Sequence, residues 1–105
     1  MAKLAVRERE LQVRELPAYG IFAGRATLYR LTPPLLVNGV ECEYVVITHT
    51  AYTGVMTTRL YGADYTGDPI EGLNAHESYL EGDHITESDL LDVVGYIPQR
   101  RVRIA

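Results

Sequence analysis

Asn38-Gly39, set between Leu35-Leu36-Val37 and Val40-Glu41-Cys42, is the feature that most restricts how this chain can fold. Both central positions of a two-residue hairpin turn need positive φ, which Asn and Gly tolerate, so the pair predicts an antiparallel hairpin. The outgoing strand continues through Glu43-Tyr44-Val45-Val46-Ile47-Thr48-His49-Thr50. Its β-branched density and near-continuous hydrophobicity mark it as the central strand, buried on both faces for part of its length.

The flanking segments extend this sheet. Arg25 to Leu31 alternates in strand fashion before Thr32-Pro33-Pro34, which is expected to break it. Gly54 marks a turn, Val55 to Tyr61 forms the next strand, and Gly62 to Pro69 is turn chemistry. Residues 70–85 read as a long loop with one short strand near Ser78-Tyr79-Leu80. Thr86-Glu87-Ser88-Asp89 has capping-box spacing with Asp at the third helical position, and the short helix it opens closes on Gly95. Arg100 to Ile104, alternating Val102 and Ile104 with arginines, predicts a basic edge strand.

The N-terminal segment is harder to assign. Leu4 and Val6, then Leu11 and Val13, alternate with charges, which suits one or two edge strands better than a helix. Residues 1–16 are therefore read as an edge strand or an N-terminal arm, with a helix as the alternative because Arg, Glu, Leu and Ala are good helix formers, and Pro17 would end either element. Gly20 and Gly24 bracket a turn or an irregular strand entry. At 105 residues the chain fits a single domain. The expected class is α+β: a mostly antiparallel sheet of about five or six strands with one short C-terminal helix.

Charge is distributed unevenly along this fold. Residues 1–30 carry six basic and three acidic groups, residues 31–95 hold Arg59 against eleven acids, and residues 96–105 add Arg100, Arg101 and Arg103. The segments sum to +3, −10 and +3, giving the net −4. The plainer expectation is that the two ends pair beside each other and lie against the acidic middle. The sharper one is a polarised surface that docks on a partner or on another copy of the chain. Eight tyrosines against one Phe and no Trp suit either half-buried sheet faces or a contact surface.

No catalytic template fits. Cys42, flanked by Glu41 and Glu43, lacks the electropositive setting of a reactive thiolate and reads as a small core residue. No nucleophile elbow and no phosphate-binding glycine loop is present. His49, His76 with Glu77, and Asp83-His84 match no compact metal signature, so no metal and no cofactor is expected. Arg100, Arg101 and Arg103 could contact phosphate, with Tyr96 as a stacking face and Asp83-His84 nearby. The acidic middle argues against nucleic acid. No apolar run is long enough to span a bilayer, and the N-terminus becomes charged before a signal segment could form, so the expected location is the cytoplasm or a virion rather than the exterior.

Tyr44-Val45-Val46, Thr53-Gly54, Ala63-Asp64-Tyr65-Thr66-Gly67, Ser78-Tyr79, Gly82, Asp83-His84, Leu90-Leu91 and Gly95-Tyr96 follow one another in an order that resembles small uncharacterised proteins of actinobacterial phages. The resemblance covers about half of the chain, from Tyr44 to Tyr96, and rests on turn and core residues. It implies the fold of that region, and it makes Asp83-His84 a recurring pair. The expectation is a non-enzymatic interaction protein that binds a host or phage protein, or assembles with itself, through its basic terminal strands and exposed tyrosines. The alternative is a binder of a nucleotide or other phosphorylated small molecule using Arg100, Arg101, Tyr96 and His84.

Overall fold

The computed structural model describes residues 3–21, 24–37, 39–52, 54–70, 79–81 and 85–99. These form Leu4–Glu10 (β1), a 3-10 helix over Val13–Tyr19, Arg25–Val37 (β2), Val40–Tyr52 (β3), Val55–Ala63 (β4), Tyr79–Glu81 (β5), Glu87–Val93 (α1) and Ile97–Pro98 (β6). The strands make one sheet in the order β5-β4-β3-β2-β1-β6. Every junction is antiparallel except β1–β6, which is parallel. The chain is an α+β protein with a mostly antiparallel sheet and one short helix.

The β2–β3 hairpin closes with Val37 opposite Val40 and Gly39 at φ 81°, the left-handed conformation that the turn requires. On β3, Val45, Val46, Ile47 and Thr48 are all fully buried, so this strand is covered on both faces as its composition predicts. Successive side chains point to opposite faces, which divides the apolar residues into two cores. One face packs Tyr29, Leu31, Val45, Ile47 and Leu60 against Leu90 and Leu91 of α1. The other packs Ala26, Leu28, Val46 and Ala63 against Leu11, Leu16, Tyr19 and Ile21.

That second core explains why Leu11 to Leu16 does not form an edge strand. Val13, whose spacing from Leu11 suggested alternation, is 73% exposed, while Leu16, Tyr19 and Ile21 are buried. A strand would have carried these apolar residues away from the sheet face, whereas two tight turns fold them back onto it. Pro17 sits inside the 3-10 helix instead of ending it. It opens the second turn, closed by the Gly20 N–H donating to the Pro17 carbonyl, so the missing proline N–H is not needed.

Thr32-Pro33-Pro34 likewise does not break its strand. β2 runs through to Val37, and its ladder to β3 is interrupted between Arg30 and Leu35. The prolines occupy that gap, where no ladder hydrogen bond is asked of them. At the other end of the chain, Thr86 caps α1 as its spacing indicated: the Asp89 N–H donates to its hydroxyl at 3.3 Å, and the Thr86 N–H donates to the Asp89 carboxylate at 2.6 Å. The helix ends with the Gly95 N–H donating to Asp92 and the Tyr96 N–H to Leu91, the paired bonds of a Schellman motif. The chain then turns into β6, where Ile97 and Gln99 donate to the carbonyls of Lys3 and Ala5.

Candidate functional site

Two regions combine exposure with unspent polar groups. The first is a cleft on the helix-bearing face of the sheet. Alternation places Arg25, Thr27 and Tyr29 of β2 on that face, with Arg7 of β1 opposite Tyr29 and His49 of β3 opposite Arg25. Leu90 and Leu91 anchor α1 over the apolar part of this face, leaving the polar part open. The result is a cleft of about 440 Å³, floored by these five residues and walled by residues 85–88.

A buried network holds the cleft together. The Thr27 hydroxyl donates to Glu87 Oε1 at 2.9 Å and the Tyr29 hydroxyl to Glu87 Oε2 at 2.7 Å, joining the first turn of α1 to the sheet. Burial, and the Glu87 carboxylate that accepts its proton, push the Tyr29 phenol well above tyrosine's usual range, while Arg7 and Arg25 pull it back. His49 Nδ1 lies 2.8 Å from the Thr58 hydroxyl, which orients the ring and leaves Nε2 outside that bond. Arg25 reaches Glu10 at 3.5 Å between two largely exposed side chains. Among the described residues Arg7 has no ion-pair partner.

The second region is the sheet edge where the chain ends meet. β6 lies beside Leu4 and Ala5, and the Lys3 ammonium stands 5.7 Å from the centre of the Tyr96 ring. Val93 and Ile97 are largely exposed here. Three ion pairs, Arg9–Glu15, Arg25–Glu10 and Arg30–Glu8, each join residues within the first thirty, not a terminal cation with the acidic middle. Ile97 and Pro98 lie beside Leu4 and Ala5, while Arg100, Arg101 and Arg103 lie outside the described residues, and these three ion pairs do not reach the acidic segment.

Of the residues singled out from the sequence for binding, Tyr96 is the one that lies among the described residues. Tyr96 is 1% exposed, and its hydroxyl donates to the Pro33 carbonyl, so its ring is a core element rather than a stacking face. Asp83, His84, Arg100, Arg101 and Arg103 lie outside the described residues, as do His76 and Glu77. Cys42 is buried, and burial pushes its thiol up, the opposite of activation. The tyrosine excess mostly serves the cores: Tyr19, Tyr29 and Tyr96 are buried with bonded hydroxyls, whereas Tyr65 is 74% exposed. Among the described residues no cluster of three or more His, Cys, Asp or Glu could hold a metal, and no helix is long and apolar enough to cross a membrane.

Sequence reasoning passed over Arg7, Arg25, Tyr29 and Glu87. Their only signal was alternation: Arg25, Thr27 and Tyr29 share one strand face, but the partners across the sheet depend on register. No family model, curated protein or solved structure matches the chain.

Proposed function

We propose that the chain is a non-enzymatic interaction protein of the phage type that Tyr44 to Tyr96 resembles. It binds a host or phage protein, or a second copy of itself, through the edge formed by β1 and β6, and it acts in the host cytoplasm or in the virion. The observation that supports this reading is the parallel β1–β6 pairing, which sets Ile97 and Pro98 beside Leu4 and Ala5 at one sheet edge. Lys3, Arg7 and Arg9 stand on or beside β1, and residues 1–30 and 96–105 together hold nine of the ten cationic side chains of the sequence. Exposed Val93 and Ile97 stand at the same edge and supply the apolar contact area a docking surface needs.

The charge layout favours an acidic partner surface, which the residue 31–95 segment of another copy would itself provide. Among the described residues β6 pairs with β1 at Leu4 and Ala5, and β1 continues with the alternating charges of Arg7-Glu8-Arg9-Glu10. Such charges discourage strand addition, so docking through side chains is the better-supported mode. Sedimentation and light scattering at low and high salt, together with capture of partners from bacterial lysate, test the reading. Association should weaken with salt and be lost in Ile97→Asp, whose side chain is exposed and whose change leaves the fold intact. A chain that is strictly monomeric and captures nothing would overturn it.

A further inference from the structure

We infer that the cleft between α1 and strands β1–β3 is a binding site for a small organic anion, its carboxylate or phosphate group held by Arg7 and Arg25. This inference is independent of the edge described above, and the site differs from the terminal arginines to which the sequence first directed a phosphorylated ligand. It begins with what the cleft has left to offer. Among the described residues the one carboxylate lining the cleft, Glu87, already accepts on both oxygens, from Thr27 and Tyr29. The hydroxyls of Thr27 and Tyr29 donate their hydrogen bonds to it.

The donors remain. Arg7 has no ion-pair partner among the described residues, and Arg25 is held only by an exposed contact of 3.5 Å to Glu10. Each guanidinium presents a fixed fork of N–H groups that matches a carboxylate or phosphate. His49 Nε2 and the Ser88 hydroxyl add two further polar groups to the lining. A cleft whose carboxylate is engaged by two hydroxyls and whose cations are not engaged favours a ligand with an anionic acceptor group.

Register supports the same placement. Arg7 lies directly across from Tyr29, and Arg25 lies four residues before Tyr29 on β2, so both cations rise from one face of two neighbouring strands. The floor they share is rigid, because Thr27 and Tyr29 are buried and tied to α1. A volume of about 440 Å³ sits low in the range of small-molecule sites, which fits a compact anion rather than a polymer. In a chain of net charge −4, two such cations in a concave site concentrate a local field of the opposite sign.

Calorimetric titration of the full chain with inorganic phosphate, adenosine monophosphate and citrate, at matched ionic strength, tests this inference. At least one probe should bind with 1:1 stoichiometry, and preference between the phosphates and citrate identifies the anion class. Arg7→Gln and Arg25→Gln should each weaken that binding by about tenfold or more, the worth of a charge-assisted hydrogen bond. Both side chains are exposed, so circular dichroism should show an unchanged fold. Arg14→Gln, on the 3-10 helix of the opposite face, should leave binding as it was. No binding by any probe up to about 10 mM, binding that survives either cleft substitution, or an equal loss in Arg14→Gln would overturn the site.

Discussion

Glu87 occupies a helical first turn, where a carboxylate is favoured anyway, yet its larger role is across the fold. It is the shared acceptor for two hydroxyls from adjacent positions on one strand face, one of them on a fully buried threonine. Removing it leaves both donors facing a space that their own burial keeps from full hydration. Glu87→Ala should therefore destabilise the protein by about 1–3 kcal/mol, seen as a fall in the thermal midpoint. Glu87→Gln keeps one acceptor oxygen and should lose less. If the two substitutions cost the same few tenths of a kcal/mol as an average surface change, the brace is not structural. Tyr96 shows the same economy on the other side of α1: a buried ring whose hydroxyl closes an otherwise free proline carbonyl.

At the scale of elements, the contact between the 3-10 helix and the turn after β4 deserves a mechanical account. The turn is organised by Asp64, whose carboxylate accepts from the Thr66 and Asp68 N–H groups at 2.9 and 3.1 Å. The Tyr19 hydroxyl then donates to the Gly67 carbonyl, and Arg9 donates to the Thr66 carbonyl, so the turn clasps the helix over the second core. Gly67 is at φ 93°, and a Cβ there would come within 2.8 Å of the Leu11 side chain and 3.0 Å of Arg9. Gly67→Ala combines backbone strain with a clash at the clasp and should cost about 1–3 kcal/mol. Gly54→Ala, also at positive φ but meeting nothing within 4 Å, isolates the backbone share of that cost. Equal losses measured by chemical denaturation would show that the clasp contributes nothing.

For the molecule as a whole, the structure implies a specific response to acid. Among the described residues three carboxylates are held below their usual values: Glu15 by the Arg9 guanidinium, Asp64 by the Thr66 hydroxyl, and Asp89 by the Thr86 backbone N–H. A carboxylate depressed in the folded state binds its proton more readily when unfolded, so its contribution is present at neutral pH and lost as pH falls. The loss begins near the unfolded values of 4.5 for Glu and 3.8 for Asp and is complete below the lowered folded ones. Unfolding free energy should hence be nearly flat near neutrality and fall below pH 4.5. Glu15→Gln should be about 0.5–1 kcal/mol less stable at pH 7, since the pair is two-pronged but partly exposed. The two stability curves should converge in acid. A constant gap at all pH values would assign the effect of Gln to packing rather than charge.

Local signals in the sequence determined the sheet's centre and the helix. Asn38-Gly39 sets one hairpin, the Val45-Val46-Ile47 run needs cover on both faces, and Thr86 with Asp89 and Gly95 delimit α1, because turns and caps are interactions among neighbours. The tertiary structure decided the rest. Leu11 to Tyr19 alternates weakly enough to suggest a strand, and only the apolar face of Ala26, Leu28 and Val46 calls for a compact segment to cover it. Pro33 and Pro34 are strand breakers by chemistry, and only the register gap opposite them makes them harmless. The candidate cleft joins Arg7, Arg25, His49 and Glu87, residues up to eighty positions apart, through pairing register and helix placement. No spacing rule within the chain encodes that meeting, because it arises when three strands and a helix bury their apolar residues on the same face and leave the polar ones at its open end.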